Sequence, residues 1–178
     1  MPESFIDKFV EEKKSWIEQT ILKIEKSKTK LNINEIFFLG KVRKLNFSSI
    51  ESIDEDSVTI KTSGSTSLEK KNQLENFLKI QTKIFVEKYL GKYNHLHYKS
   101  VKYRLYSSKW GSCSPKDELT FNIKLAMCPE EVIEYIVVHE LCHTLQKNHS
   151  SRFWNEVCKL LPSYKEQRSW LRKNKWAL

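Results

Sequence analysis

One stretch restricts this chain more than any other: PEEVIEYIVVHELCHTLQKNH, residues 129–149. The apolar, β-branched run VIEYIVV leads straight into His139, Glu140 and His143, so titratable groups follow on a segment that has to be buried. Pro129 stands where a first helical residue should, and Glu130 and Glu131 complement the helix dipole. The helix is predicted to run to about Lys147, with Asn148 as a left-handed terminating residue. Any fold of this chain must therefore contain a core helix carrying two histidines and a glutamate near its end.

On such a helix, residues four apart lie one above the other, so His139 and His143 point the same way and can share one tetrahedral ion. Glu140 is rotated about 100° from His139. It flanks the ion rather than ligating it, where it can accept a proton from an activated water. Two histidines are too few, because a catalytic zinc takes three protein ligands and leaves its fourth position open. His149 follows just beyond the helix end, and a turn at Lys147–Asn148 can swing it back under the ion. The spacing of the first and third histidines matches H-E-x-x-H-x-x-G-x-x-H, but Gln146 stands where that pattern has glycine, so the turn must differ. Glu156 and Glu166, from the helices that follow, are the competing third ligands. The plain alternative is a pair of surface histidines that never meet a metal. Burying two imidazoles and a carboxylate without partners is costly, which argues against it.

The rest of the chain reads as mixed helix and strand. Residues 4–28 form an amphipathic pattern capped by Ser4, with Phe5, Phe9, Trp16, Ile17, Ile21 and Ile24 on one face. EIFFLGKVRKLNF and SVTIKTS read as strands joined by the acidic loop SSIESIDED. A helix over about 68–91 carries Leu74, Phe77, Leu78, Ile84, Phe85 and Leu90 as its apolar stripe. In VKYRLYSS, Val101, Tyr103 and Leu105 alternate with Lys102, Arg104 and Tyr106, and LTFNIKL repeats the alternation with Leu119, Phe121 and Ile123. Between them WGSCSPKDE is predicted to turn the chain back as an irregular hairpin. A short helix over 151–161 should stop at Pro162, and a final one should open on a Ser163–Glu166 capping box.

No stretch approaches the roughly 18 consecutive apolar residues of a membrane span, and the opening residues lack a signal-peptide core. A soluble, cytoplasmic protein with no membrane partner is expected. Cys113, Cys128, Cys142 and Cys158 are scattered without a Cys-x-x-Cys pair and are expected to be buried free thiols. The formal net charge is +9, and residues 1–75 balance to zero, so the whole excess lies in residues 76–178. That half allows weak nucleic-acid binding, through Lys165, Arg168, Arg172, Lys173 and Lys175, with Trp170 and Trp176 available for stacking. The excess is mostly dispersed lysine, which reads equally as a solvated surface.

The segment SSKWGSCSPKDELTFNIKLAMCPEEVIEYIVVHELCHTLQKNHSSRFWNEVCKLLPSYKEQRSWL resembles the YgjP-like metallopeptidase domain family, zincin relatives near the SprT-like proteins. The likeness lies in the Trp-Gly-Ser-Cys turn, the Asn-bearing strand, the Pro-started helix, His-Glu-Leu-x-His, Asn-His-Ser, Phe-Trp and the closing Trp-Leu. It is dense from Lys109 to Leu171, and FVEEKKSWI and FFLGKVRKLNF are similar to weaker family features. Lys109 stands where the family often has arginine, and the chain opens on its first helix rather than on the extra β-rich stretch common in the family. The resemblance implies that His139, His143 and His149 ligate zinc and that Glu140 is the base.

The expected fold is α+β and zincin-like, with a small antiparallel sheet beside the active-site helix and further helices around it. One domain is expected over 1–178, with an N-terminal helix and strands in 1–75 and a metal-binding catalytic core in 76–178. The expected activity is zinc-dependent hydrolysis of a peptide or protein substrate, which could pair with ELTFNIKL if that strand is a sheet edge. Tyr106, Asn122, Tyr164 and Arg168 are candidates for oxyanion help. The alternatives are a protease recruited to nucleoprotein and a metal-stabilised binding module without turnover, for which Cys113 would be the fourth ligand.

Overall fold

The structure, a computed structural model, describes residues 32, 34–64 and 66–174. The amphipathic pattern of residues 4–28, Lys175 and Trp176 lie outside the described residues. Strands β1 (Glu35–Phe38) and β2 (Lys41–Ser48) form an antiparallel hairpin. Its two-residue turn, Leu39–Gly40, has positive φ at both positions, 49° and 76°, as a tight hairpin requires. The turn N–H groups donate to the carbonyls of Ala126 and Met127, which fastens the hairpin to the chain leading into the histidine-bearing helix. Strands β3 (Ser52–Ile53) and β4 (Ser57–Lys61) complete a sheet of order β1-β2-β4-β3, in which β4 runs parallel to β2.

Helix α1 (Ser67–Lys92) starts with a capping box between Thr66 and Glu69. It buries Phe77, Leu78, Thr82, Val86, Tyr89 and Leu90. Ile84, expected in this stripe, is 53% exposed. It lies two residues from both Thr82 and Val86, and two helical steps rotate a side chain by about 200°.

The second sheet departs from the expected hairpin. Strand β7 (Glu118–Asn122) is central, parallel to β5 (Ser100–Arg104) and antiparallel to β6 (Gly111–Cys113). Both sheets are therefore mixed rather than antiparallel, and part of the presumed WGSC turn is itself a strand. The cause is a crossing segment, residues 105–110, that carries the chain from one side of β7 to the other. Asn122 pins that crossing, since its Nδ2 donates to the carbonyls of Tyr106 (3.0 Å) and Lys109 (2.8 Å). The Asn122 Oδ1 also accepts from the Lys124 N–H, turning the expected end of the LTFNIKL strand into the 3-10 turn Ile123–Met127.

Helix α2 (Glu130–Leu145) is the histidine-bearing helix, and Pro129 sits just outside it as N-cap. Val132, Ile133, Ile136, Val137, Val138, Leu141 and Cys142 are all buried, so this helix is covered on several sides, as its apolar run requires. They share one core with Val86 and Leu90 of α1, Leu119 and Phe121 of β7, and Phe153 and Val157 of α3 (Ser151–Leu160). Helix α4 (Tyr164–Asn174) packs on α2 from beyond Pro162. Mixed α and β elements make an α+β fold. Of the thiols expected to be buried, Cys128 and Cys142 are; Cys113 is half-buried and Cys158 exposed. No described helix is long and apolar enough to cross a membrane.

Candidate metal centre

His139 and His143 lie one turn apart on α2 with ring centroids 4.9 Å apart. The helix ends at Leu145, two residues earlier than expected, and Gln146 is extended at φ −137° and ψ 107°. That extended residue turns the chain, so no glycine is needed there and Asn148 is not left-handed. The Asn148 Oδ1 instead accepts from the Ser150 N–H. The chain returns His149 to within 5.0 Å of His139 and 4.7 Å of His143 between ring centroids. One donor nitrogen from each ring lies within 4.8 Å of the others, and the Nε2 atoms of His139 and His149 are 3.0 Å apart. Two nitrogens each ~2.05 Å from a tetrahedral ion stand about 3.3 Å apart, so this spacing suits two ligands of one ion.

Side chains around the rings orient them. His143 Nδ1–H donates to the Gln146 carbonyl at 3.0 Å, which leaves its Nε2 lone pair for a ligand role. Ser150 caps α3 and so sets Phe153 and Trp154 against the imidazoles. Phe153 is fully buried and stacks on His143 at 4.5 Å, and Trp154 stacks on His149 at 5.7 Å. Sequence reasoning noted Phe153 and Trp154 as family features but gave them no place in the site. Aromatic residues four and five positions past a third histidine were the available signal.

The electrostatics match the donor set. Burial, reinforced by the neighbouring His143 and His149, pushes the His139 imidazole down to about 3, and burial also lowers His143. Both are therefore neutral at neutral pH, the form that binds metal. Glu140 is 5% exposed, and its burial raises it to about 8 against the opposing pull of Lys109. Among the described residues, the buried Glu140 Oε2 and His139 Nδ1 have no hydrogen-bond partner. Such an orphaned group costs about 1–3 kcal/mol, so a divalent cation beside this carboxylate fits the residues present. Gly111 of β6 makes room for the carboxylate: a Cβ there would come 2.6 Å from Glu140 Oε1. The glycine of the Trp-Gly-Ser-Cys segment thus has a steric role that sequence reasoning did not assign.

The competing ligands lie elsewhere. Glu156 pairs with Lys159 at 2.8 Å, Glu166 is exposed, and Cys113 Sγ accepts from Lys147 Nζ at 3.7 Å. Among the described residues the metal-competent group contains the three histidines alone. Of the oxyanion candidates, Asn122 is committed to the crossing segment and Tyr164 is buried against Trp154. Tyr106 lies under the Lys109 ammonium, and Arg168 lies over the Trp154 ring at 4.4 Å. Strand β7 is flanked on both sides, so ELTFNIKL is not an edge; the open edge nearest Glu140 is β6. Lys165, Arg168, Arg172 and Lys173, expected to meet nucleic acid, all lie on α4.

Three imidazoles beside a buried carboxylate are the kind of donor set that metal-dependent hydrolases use. The chain belongs to the YgjP-like family, matching its metallopeptidase domain over residues 1–174, and is thus a metal-dependent peptidase. It is also similar to two solved structures. The metallopeptidase zymogen of Methanocaldococcus jannaschii jannalysin is 24% identical with a TM-score of 0.43, over 52% of this chain and 94% of that one. The metallopeptidase zymogen of Pyrococcus abyssi abylysin is 25% identical with a TM-score of 0.44, over 53% of this chain and 95% of that one. No curated protein matches the chain.

Proposed function

We propose that this protein is a zinc-dependent metallopeptidase in which His139, His143 and His149 hold the ion and Glu140 is the general base. Neutral imidazoles suit zinc, and three of them leave a fourth position for substrate or water. A zinc ion held there supplies Lewis acidity, polarising a carbonyl and acidifying water. Glu140 takes the proton of the attacking water on its carboxylate and passes it to the leaving amine nitrogen. Burial alone raises this carboxyl to about 8, and a cation beside it would draw it back down, into the range of a group that both accepts and returns a proton. The open edge of β6 pairs with an extended peptide and holds the scissile bond beside that carboxylate. Phe153 covers one face of the His143 ring and Trp154 one face of the His149 ring.

The observation that carries this reading is the convergence of three imidazole donors next to a buried carboxylate with an unpartnered oxygen. The test is zinc titration of the metal-free protein followed by peptide hydrolysis, with Glu140→Gln beside the wild type. One zinc per chain, and hydrolysis by the wild type alone, support the reading. Equal hydrolysis by both proteins removes Glu140 as the base.

A further inference from the structure

We propose that Arg168 is a specificity-determining residue that binds a carboxylate of the substrate, an inference that rests on the peptidase reading above. Arg168 is exposed on α4, and its guanidinium lies 4.4 Å from the centre of the Trp154 ring. Trp154 in turn stacks on His149 at 5.7 Å. Arg168 is therefore one aromatic ring away from the histidine cluster. An extended peptide advances ~3.3 Å per residue, so a carboxylate one to three residues from the scissile bond falls within its reach.

The surroundings of Arg168 point to an anionic ligand. It shares a shallow, open depression along one face of α4 with Tyr164, Lys165, Ser169 and Arg172. Among the described residues, no carboxylate forms an ion pair with Lys165, Arg168 or Arg172, whereas Lys88, Lys92, Lys102, Lys147 and Lys159 each have one. Three uncompensated cations on one helix face raise the local concentration of anions. Arg168 is the one of the three laid on an aromatic ring, which holds the guanidinium plane and leaves its N–H fork free for bidentate carboxylate binding. The carboxylate can come from an acidic side chain or from a free C-terminus, and the chemistry of recognition is the same.

Three otherwise identical peptides separate the cases: one neutral and amidated, one neutral with a free C-terminal carboxylate, and one amidated with an internal glutamate. The zinc-loaded wild type is expected to favour one carboxylate-bearing peptide over the neutral one by roughly ten-fold in kcat/KM, expressed in KM. Which peptide is favoured identifies the source. Arg168→Gln should bring that ratio to about one with zinc content retained, and Arg168→Lys should restore part of it. Binding gives a readout independent of turnover: by calorimetry, zinc-loaded Glu140→Gln should bind the favoured peptide more tightly than the neutral one, and adding Arg168→Gln should remove the difference. Hydrolysis of all three peptides at equal rates overturns this inference and spares the peptidase reading. No hydrolysis by the wild type, with Arg168-dependent binding intact, overturns the peptidase reading and supports carboxylate recognition. A uniform loss on all three peptides together with a lower melting temperature in Arg168→Gln would assign Arg168 to packing on Trp154 and overturn the inference. Stronger Arg168-dependent binding of a short single-stranded DNA than of any peptide would assign this helix face to a polyanion and also overturn it.

Discussion

The two halves of helix α2 treat the same kind of side chain in opposite ways. In the first half, Glu130 accepts from Lys88 and Tyr89 of α1 at 2.5 and 2.9 Å. One turn on, Glu134 repeats the arrangement with Lys92 and Tyr93 at 2.5 and 2.7 Å. The Lys88 ammonium holds the Glu130 carboxyl below its usual range. In the second half, Glu140 is buried with one oxygen unpartnered, and burial holds it well above that range. The helix, residue type and backbone are common to both, so the difference comes from burial and from the partners. Where α1 supplies a cation and a phenol, the carboxylate clamps two helices. Where β6 supplies only a glycine backbone, the carboxyl is left buried with an unpartnered oxygen, the setting the proposed base role calls for.

The sharpest way to break this contrast is to remove charge from each half in turn. Glu140→Gln should lower peptide hydrolysis by about 10²–10⁴-fold while retaining zinc and fold, because the isostere lacks only the proton acceptor. Glu134→Gln should leave hydrolysis near the wild-type rate and lower unfolding stability by ~1 kcal/mol, measured in denaturant. The opposite pattern would erase the division between a clamping and a reacting half. Next in size, His149→Ala should weaken zinc binding by more than ~100-fold, whereas Glu156→Ala should leave it unchanged; competition with a chelator measures both.

Gly111→Ala probes the backbone side of Glu140. The added Cβ meets the Glu140 side chain from Cγ to Oε1, which must move. Hydrolysis should fall by roughly 10–100-fold through misplacement of the carboxylate, with little change in melting temperature.

The smallest effect is a pH slope in the metal-free protein. Glu140 is raised from 4.5 to about 8, so its contribution to stability is complete below 4.5 and is lost as pH rises toward 8. His139 is lowered from 6.5 to about 3, so its contribution is present above 6.5 and is lost as pH falls from there toward 3. Between pH 6.5 and 8 the Glu140 slope acts without the His139 one. The melting temperature of metal-free wild type should decline across that window, and in Glu140→Gln the decline should disappear.

Much of this was legible because it depends on local periodicity. The i, i+4 spacing of His139 and His143 and the apolar run before them required one buried helix, and helix α2 is there. The strands around Val58 and Leu119 and the helices on either side of Pro162 followed from the same kind of pattern. What was not legible depends on distant partners. The parallel pairing of β5 with β7 rests on Asn122 holding a crossing segment, and alternation within a strand carries no information about its neighbour's direction. Gly111 facing Glu140 and Trp154 facing His149 arise only when separate elements meet. The turn that returns His149 was expected from a left-handed Asn148, but an extended Gln146 makes it while holding His143 through its carbonyl.

The central claim is that the second half of α2 and the turn after it hold a metal with three histidines and keep a fourth position open. An anomalous-scattering map of zinc-loaded crystals tests it most directly. One peak is expected roughly 2.0–2.1 Å from a nitrogen of each of His139, His143 and His149, with no protein atom in the remaining position. A peak that takes Cys113 sulfur as a further ligand, or that exchanges His149 for Glu156 or Glu166, would contradict it.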